Sequence, residues 1–289
     1  MIPSISSFSM ILRSLILLLA LSFLTSTDAF PQRKKNKLSR EERKKREATF
    51  YFTEGVKYYI LAEPDFDAED MDRALMLFKK SLESDSENDA AYFKIATILA
   101  GKGSLDNALN NARKALELDD QNQYYYTLNA DILTRMSNFA EAAQVYEQLI
   151  DRMEGTDEYL FDLAALYLYQ GDYGQALDAY NRAEKRYGIQ PEVVRQKQKI
   201  YLKQNKLDDA IQEGEKLVDA FPGEASFVMA LAEIFVSNNR EKDAIPYLED
   251  LLEISPNNPE ARLMLSKVYQ NLGNNRKAEE SMEMAFANP

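Results

Sequence analysis

The sequence predicts an all-α solenoid of about seven helix pairs, and three observations carry that prediction. First, an alanine recurs at Ala74, Ala108, Ala142, Ala176, Ala210, Ala244 and Ala278, each step being 34 residues. A fixed period of that length marks stacked supersecondary units rather than one closed core. Second, the residues four and seven places on, as in Ala176, Tyr180 and Ala183, share one helical face with it. Third, a tight turn precedes such a helix at Gly171-Asp172, and Gly101-Lys102-Gly103-Ser104 reads as the same turn. A lone pair buries too little apolar surface to offset the ordering of its own residues, so stacking must supply the rest.

The chain opens on a segment of a different kind. In residues 1–29, Arg13 supplies a positive charge, Ser14 to Leu24 form an apolar run, and small residues lead to Ala29. This is the pattern of a cleavable secretory signal ending at Ala29, with an uncleaved membrane anchor as the alternative. The run falls short of the ~20 residues of a comfortable membrane span. Residues 30–47 form a basic linker or arm. Arg33 to Arg46 hold nine Lys/Arg against two glutamates, a net +7, whereas from Glu47 onward 25 Lys/Arg face 44 Asp/Glu, a net −19. The arm reads as a solvated lead-in, with Ser39 and Glu42 as a helix capping box, or as electrostatic contact with an anionic membrane, polymer or partner. Nucleic acid is disfavoured, because the arm stands alone and export would remove the chain from the cytoplasm.

The solenoid then runs over 48–289, in repeats of about 48–88, 89–122, 123–156, 157–190, 191–224, 225–258 and 259–289. In the second helices the residue four after the alanine is the aromatic or bulky position, occupied by Phe78, Ala112, Tyr146, Tyr180, Gly214, Leu248 and Met282, and the one seven after it is small or apolar (Ser81, Ala115, Leu149, Ala183, Leu217, Leu251, Ala285). In the preceding helix a bulky position (Leu99, Leu133, Tyr167, Tyr201, Phe235, Tyr269) follows three after a small one (Ala96, Ala130, Ala164, Gln198, Ala232, Ser266). Pro222 and Pro256 close two repeats.

These residues resemble the tetratricopeptide repeat family over nearly the whole chain after residue 48. The resemblance implies antiparallel helix pairs stacked into a right-handed superhelix. It also implies that the first helices line a concave groove that binds peptides or other proteins.

Three departures stand out. Repeat one is stretched: seven extra residues fall within Leu61 to Asp72, an acidic stretch read as a tolerated surface insertion, or alternatively as a contact loop or cation site. Repeat five carries Lys197 and Gln198 where the family has a large apolar and a small residue, and Gly214 where it has a filler. That makes it the least stable joint, a hinge between repeats one to four and six to seven. Repeat seven has Arg262 in place of an aromatic, and no polar capping helix follows it, so a partner seals that end or a longer ancestral protein was cut there.

Carried over by phase, the family's groove positions fall on Phe93 and Thr97; on Tyr124, Thr127, Asp131 and Arg135; on Phe161, Ala165, Leu168 and Tyr169; on Arg195, Lys199 and Lys203; and on Met229, Glu233, Leu263 and Lys267. Phe93, Tyr124, Asp131, Arg135, Phe161, Tyr169, Arg195, Lys199 and Lys203 form the candidate partner-binding set. The aromatic wall beside a basic step suits a peptide with apolar anchors and an acidic end, or else the aromatics pack internally and the cations form a solvated face. The Lys, Asn and Arg set with which some members clamp a terminal carboxylate is not found.

Chemistry finds little to work with. With no Cys, His or Trp, the chain has no disulfide, thiolate metal site, thiol nucleophile or imidazole base. No G-x-S-x-G, P-loop or dinucleotide fingerprint is present. Asp119-Asp120 and Asp208-Asp209 read as a solvated helix end and a helix start. The expectation is a non-catalytic scaffold without cofactor or metal, exported to a bacterial periplasm or held at the inner membrane, that binds a protein or peptide partner. A membrane-tethered accessory factor for envelope assembly or secretion is the alternative.

Overall fold

The computed structural model describes residues 38–62 and 67–287. The segment 1–29, the first part of the basic arm and residues 63–66 of the acidic insertion lie outside the described residues. Contacts divide the chain into two units, residues 1–47 and 48–289. In the first, the backbone N–H of Ser39 donates to Glu42 Oε2 at 2.7 Å and that of Glu42 donates to Ser39 Oγ at 3.1 Å. This reciprocal box starts a helix at Arg40, so the last turns of the basic arm are helical.

The described residues form fourteen α-helices in sequence-adjacent hairpins. In chain order these are α1 (Arg40–Ala62), α2 (Ala68–Ser84), α3 (Asp89–Gly101), α4 (Leu105–Leu118), α5 (Gln123–Arg135), α6 (Phe139–Arg152) and α7 (Leu160–Gln170). They continue with α8 (Tyr173–Tyr187), α9 (Pro191–Lys203), α10 (Leu207–Ala220), α11 (Ala225–Ser237), α12 (Glu241–Ile254), α13 (Pro259–Asn271) and α14 (Asn275–Ala287). A short 3₁₀ turn, Asp157–Tyr159, leads into α7.

The 34-residue phase is a packing code. All seven phase alanines are buried, as are the residues seven places on. Where the small position of the first helix is polar, its side chain still finds a partner. Gln198 Nε2 donates to the Ala210 carbonyl at 3.1 Å, and Ser266 Oγ donates to that of Ala278 at 2.8 Å. Each side chain thus reaches the opening alanine of its own second helix, so neither is a buried orphan. In the stretched first pair, Gly55 takes the small position. A methyl there would come within 2.9 Å of the Phe78 ring, so only glycine allows this approach.

The hairpin turns repeat as faithfully. Gly103, Ser137, Gly171, Asn205, Asn239 and Gly273, one in each of repeats two to seven, all have positive φ. The next amide donates back to the carbonyl of the bulky first-helix position: Ser104 to Leu99, Asn138 to Leu133, Asp172 to Tyr167, Lys206 to Tyr201, Arg240 to Phe235 and Asn274 to Tyr269, all at 2.8–2.9 Å. These are the six-to-one bonds of a Schellman end, which needs a left-handed residue. Glycine and asparagine adopt that conformation readily, whereas serine at 137 pays a steric cost.

The apolar core is interrupted at repeat five. One buried cluster extends from Ala96 to Ile200, and another begins at Ile211 and ends at Ala278. The break falls between α9 and α10, and an ion cluster fills it. Lys197 is 1% exposed, and its Nζ lies 2.6 Å from Glu184 Oε2 on α8 and 2.8 Å from Glu213 Oε1 on α10. Lys216 reaches Glu213 at 2.9 Å and Glu184 at 3.9 Å. Burial alone would lower the Lys197 pKa, but the bonds to Glu184 and Glu213 outweigh it and hold the ammonium above the ordinary lysine value. Gly214 is not a gap. A methyl there would lie 2.7 Å from Gln198 Nε2 and 3.0 Å from Leu231 Cδ1. Among contacts between successive pairs, that of α8 with α9 is the least extensive, so Lys197 staples the thinnest joint.

Candidate functional site

First helices of successive pairs also touch one another directly, α3 against α5 and α11 against α13. Second helices make no comparable contact among the described residues, so it is the first helices that share a common face. The groove positions are carried there, but the structure treats them differently.

Tyr124 on α5 and Tyr169 on α7 are the most exposed aromatics of the predicted set, at 61% and 70%. Tyr169 stacks on Phe139 with ring centroids 5.0 Å apart, which fixes one ring face and leaves the other to solvent. Phe161 is exposed and stacks on Tyr187 at 6.1 Å. These two rings, with Val193, Gln190, Glu158 and Glu192, line an open pocket of about 440 Å³. Phe93 is only half exposed and packs on Tyr125 at 5.1 Å, so it belongs to the joint between α3 and α5.

The charged positions divide likewise. Asp131 is exposed and has no ion-pair partner among the described residues. Arg135 spends its guanidinium on the Ala100 carbonyl at 2.8 Å, capping the end of the preceding first helix. On α9, Arg195 Nε is 3.3 Å from Glu192, Lys203 lies 5.2 Å from the centre of the Tyr173 ring, and Lys199 is exposed. The basic step is therefore partly engaged by its own neighbours.

The structure adds residues that phase reasoning assigned elsewhere. Tyr146 sits at a packing position on α6, yet its ring stacks on Tyr159 at 5.5 Å. Burial, then the charge of Asp162 on α7, the neighbouring Tyr159 and the charge of Asp131 on α5 all push its hydroxyl pKa up. Burial, joined by Glu158, likewise raises the pKa of Asp162. The signal for these residues was the carboxylate–tyrosine run from Asp157 to Asp162 in the 3₁₀ connection, which the repeat phase alone does not interpret.

The other carboxylate pairs have structural duties. Asp120 meets Arg152 at 2.6 Å and Asp208 meets Arg240 at 2.7 Å. Arg262 donates to the Pro256 carbonyl at 2.6 Å. In the first-pair insertion, α1 continues to Ala62 and α2 begins at Ala68. Asp67 caps α2 through Asp70 N at 2.9 Å, and Asp72 pairs with Lys102 at 2.5 Å. Much of the expected loop is therefore helix and cap. No helix among the described residues is long and apolar enough to cross a membrane.

Tetratricopeptide repeat models match residues 89–122, 127–191 and 199–259, and another matches 235–287, together well over half the chain. Among solved structures, the Naa15/Naa10 complex bound to HypK-THB aligns at TM-score 0.55 and 15% identity, covering 81% of this chain and 36% of that one. The C-terminal part of a repeat protein from Cytophaga hutchinsonii aligns at TM-score 0.50 and 17% identity, covering 84% and 94%. A repeat protein from Parabacteroides merdae gives TM-score 0.48 at 15% identity, covering 84% and 93%. No curated protein matches the chain by sequence. At these identities the likeness to the first two structures speaks for the fold alone.

Proposed function

The chain belongs to the tetratricopeptide repeat family of protein–protein interaction scaffolds, and on that premise we propose that it works at a cell envelope, binding a peptide or partner protein along its first helices. The observation that carries the reading is the display of Tyr124, Phe161 and Tyr169 on α5 and α7, each with ring surface left open to solvent. Exposed aromatics on a rigid surface are the usual anchors of a protein interface. The export reading rests on the charge and apolar pattern of residues 1–29.

The test is an affinity capture from envelope extract with the parent chain and with Tyr124→Ala combined with Phe161→Ala. Discrete partners of the parent should be lost from the variant while its helical circular dichroism is unchanged. An unchanged partner set with the fold intact overturns the groove reading. Fractionation tests the location: release with soluble envelope contents supports a cleaved signal. Salt-resistant membrane retention favours the tethered alternative, and recovery with the cytoplasm overturns both.

A further inference from the structure

We propose that α1 lies along an anionic phospholipid bilayer, with Arg43, Arg46 and Lys57 at the headgroups and Phe50 and Leu61 in the outer acyl layer. The inference rests on the envelope reading above and not on the groove.

At 23 residues, α1 is the longest of the described helices. Arg43, Arg46, Phe50, Lys57 and Leu61 follow one another along it at steps of three, four, seven and four, so they share one stripe. All five are exposed, with Phe50 at 61% and Leu61 at 60%. This stripe is not built to receive another helix as the repeats do. In the six later first helices the residue just before the small position is buried: Ile95, Asn129, Leu163, Lys197, Leu231 and Leu265. In α1 that position is Glu54, which is only half-buried and pairs with the exposed Lys57 at 3.6 Å. A second copy stacking there would have to strip both charges of water.

Charge and apolarity together select lipid. The net +7 of Arg33 to Arg46 is drawn to an anionic surface, whereas the chain from Glu47 onward, at −19, is repelled by it as a whole. Contact is thereby confined to this helix. An acidic protein or polymer would answer the basic residues alone. A bilayer also takes up Phe50 and Leu61, as it does the apolar side chains of helices that lie in its interface. The apolar run Ser14 to Leu24 stands fifteen residues ahead of Arg40, so in either reading of that run α1 emerges beside a membrane.

The test floats the intact chain, isolated from cells, with vesicles of phosphatidylcholine alone or with about one third phosphatidylglycerol. Binding should be at least about tenfold tighter to the anionic vesicles, and that preference should vanish in about 0.5 M salt. Arg43→Gln with Arg46→Gln, and separately Phe50→Ser with Leu61→Ser, should each weaken binding at least about tenfold while the thermal midpoint is kept. The chain has no tryptophan, so Phe50→Trp gives a single reporter, whose emission should shift to the blue on anionic vesicles. Equal binding to both kinds of vesicle, or binding that neither double variant weakens, overturns the inference. Binding that answers to the arginines alone, with no blue shift, marks a charge-only contact of the kind an acidic protein or polymer makes, and overturns the lipid assignment. Partner capture and fractionation read the groove and the location separately, so those readings can stand where this one falls.

Discussion

Lys197→Met cuts the staple at repeat five while keeping the side chain's length. The structure sets the magnitude. Lys197 is sealed from solvent and holds Glu184 at 2.6 Å and Glu213 at 2.8 Å. Removing one partner from a buried ion pair costs roughly 3–5 kcal/mol, because the other charge stays buried. Here Lys216 remains 2.9 Å from Glu213 and 3.9 Å from Glu184. The cost therefore falls at the lower end, about 3 kcal/mol, still a large share of the roughly 5–15 kcal/mol of a typical domain. Urea unfolding, followed by circular dichroism and tyrosine emission in this tryptophan-free chain, reads it. Because Lys197 staples the thinnest joint, that of α8 with α9, the variant's transition should also broaden, with α9–α14 separating from the preceding helices. Adding Glu213→Leu removes the more deeply buried of the two carboxylates together with its Oε2, already buried without a hydrogen bond. The double variant should return to within about 1 kcal/mol of the parent. A loss below about 1 kcal/mol for Lys197→Met, or a double variant no better than the single one, refutes the reasoning.

Other consequences follow from single contacts. Arg135→Ala deletes the bond to the Ala100 carbonyl and should cost about 1 kcal/mol in urea unfolding, showing the residue to be a cap even if peptide affinity is unchanged. Ser137→Gly relieves the only non-glycine, non-asparagine left-handed turn among the described residues; it should raise stability by about 0.5–1 kcal/mol, and a loss would show that the serine stabilises its turn in another way. Alkaline pH should destabilise the chain. Burial raises the pKa of the hydroxyls of Tyr125, Tyr167 and Tyr247, helped by Asp89, Glu147 and Glu215, and Lys197 is raised as well. The folded state thus holds these protons more tightly, so their contribution is complete below the ordinary tyrosine value of about 10 and is lost as pH rises beyond it. Urea midpoints measured from about pH 9 to pH 11 should fall, and a flat profile would contradict the assignment.

The repeat architecture was legible because one alanine per 34 residues reports both the period and the packing face. The turn at Gly171 was legible for the same reason. Repeat five was legible only as a departure. Lys197, Glu184 and Glu213 lie on three helices, and no periodic pattern ties a lysine to glutamates 13 residues before it and 16 after it. Gly214 looked like a missing filler, but Gln198 and Leu231 occupy that space. At the candidate site, phase located the exposed Tyr124, Phe161 and Tyr169. It could not tell that Phe93 packs on Tyr125 or that Arg135 caps α3, since those uses depend on the neighbouring repeat. Tyr146 was assigned to packing by phase, and its stack on Tyr159 depends on a 3₁₀ turn that the repeat pattern does not encode.

Site-specific photocrosslinking tests the central claim, that the first-helix face is the binding surface. A benzophenone-bearing phenylalanine analogue would be placed at Tyr124, at Tyr169, and at Gln144, an exposed position on the second helix α6. Irradiation in intact cells should join positions 124 and 169 to the same discrete partner and leave position 144 unlinked. A partner captured from 144 and from neither tyrosine position would contradict the account.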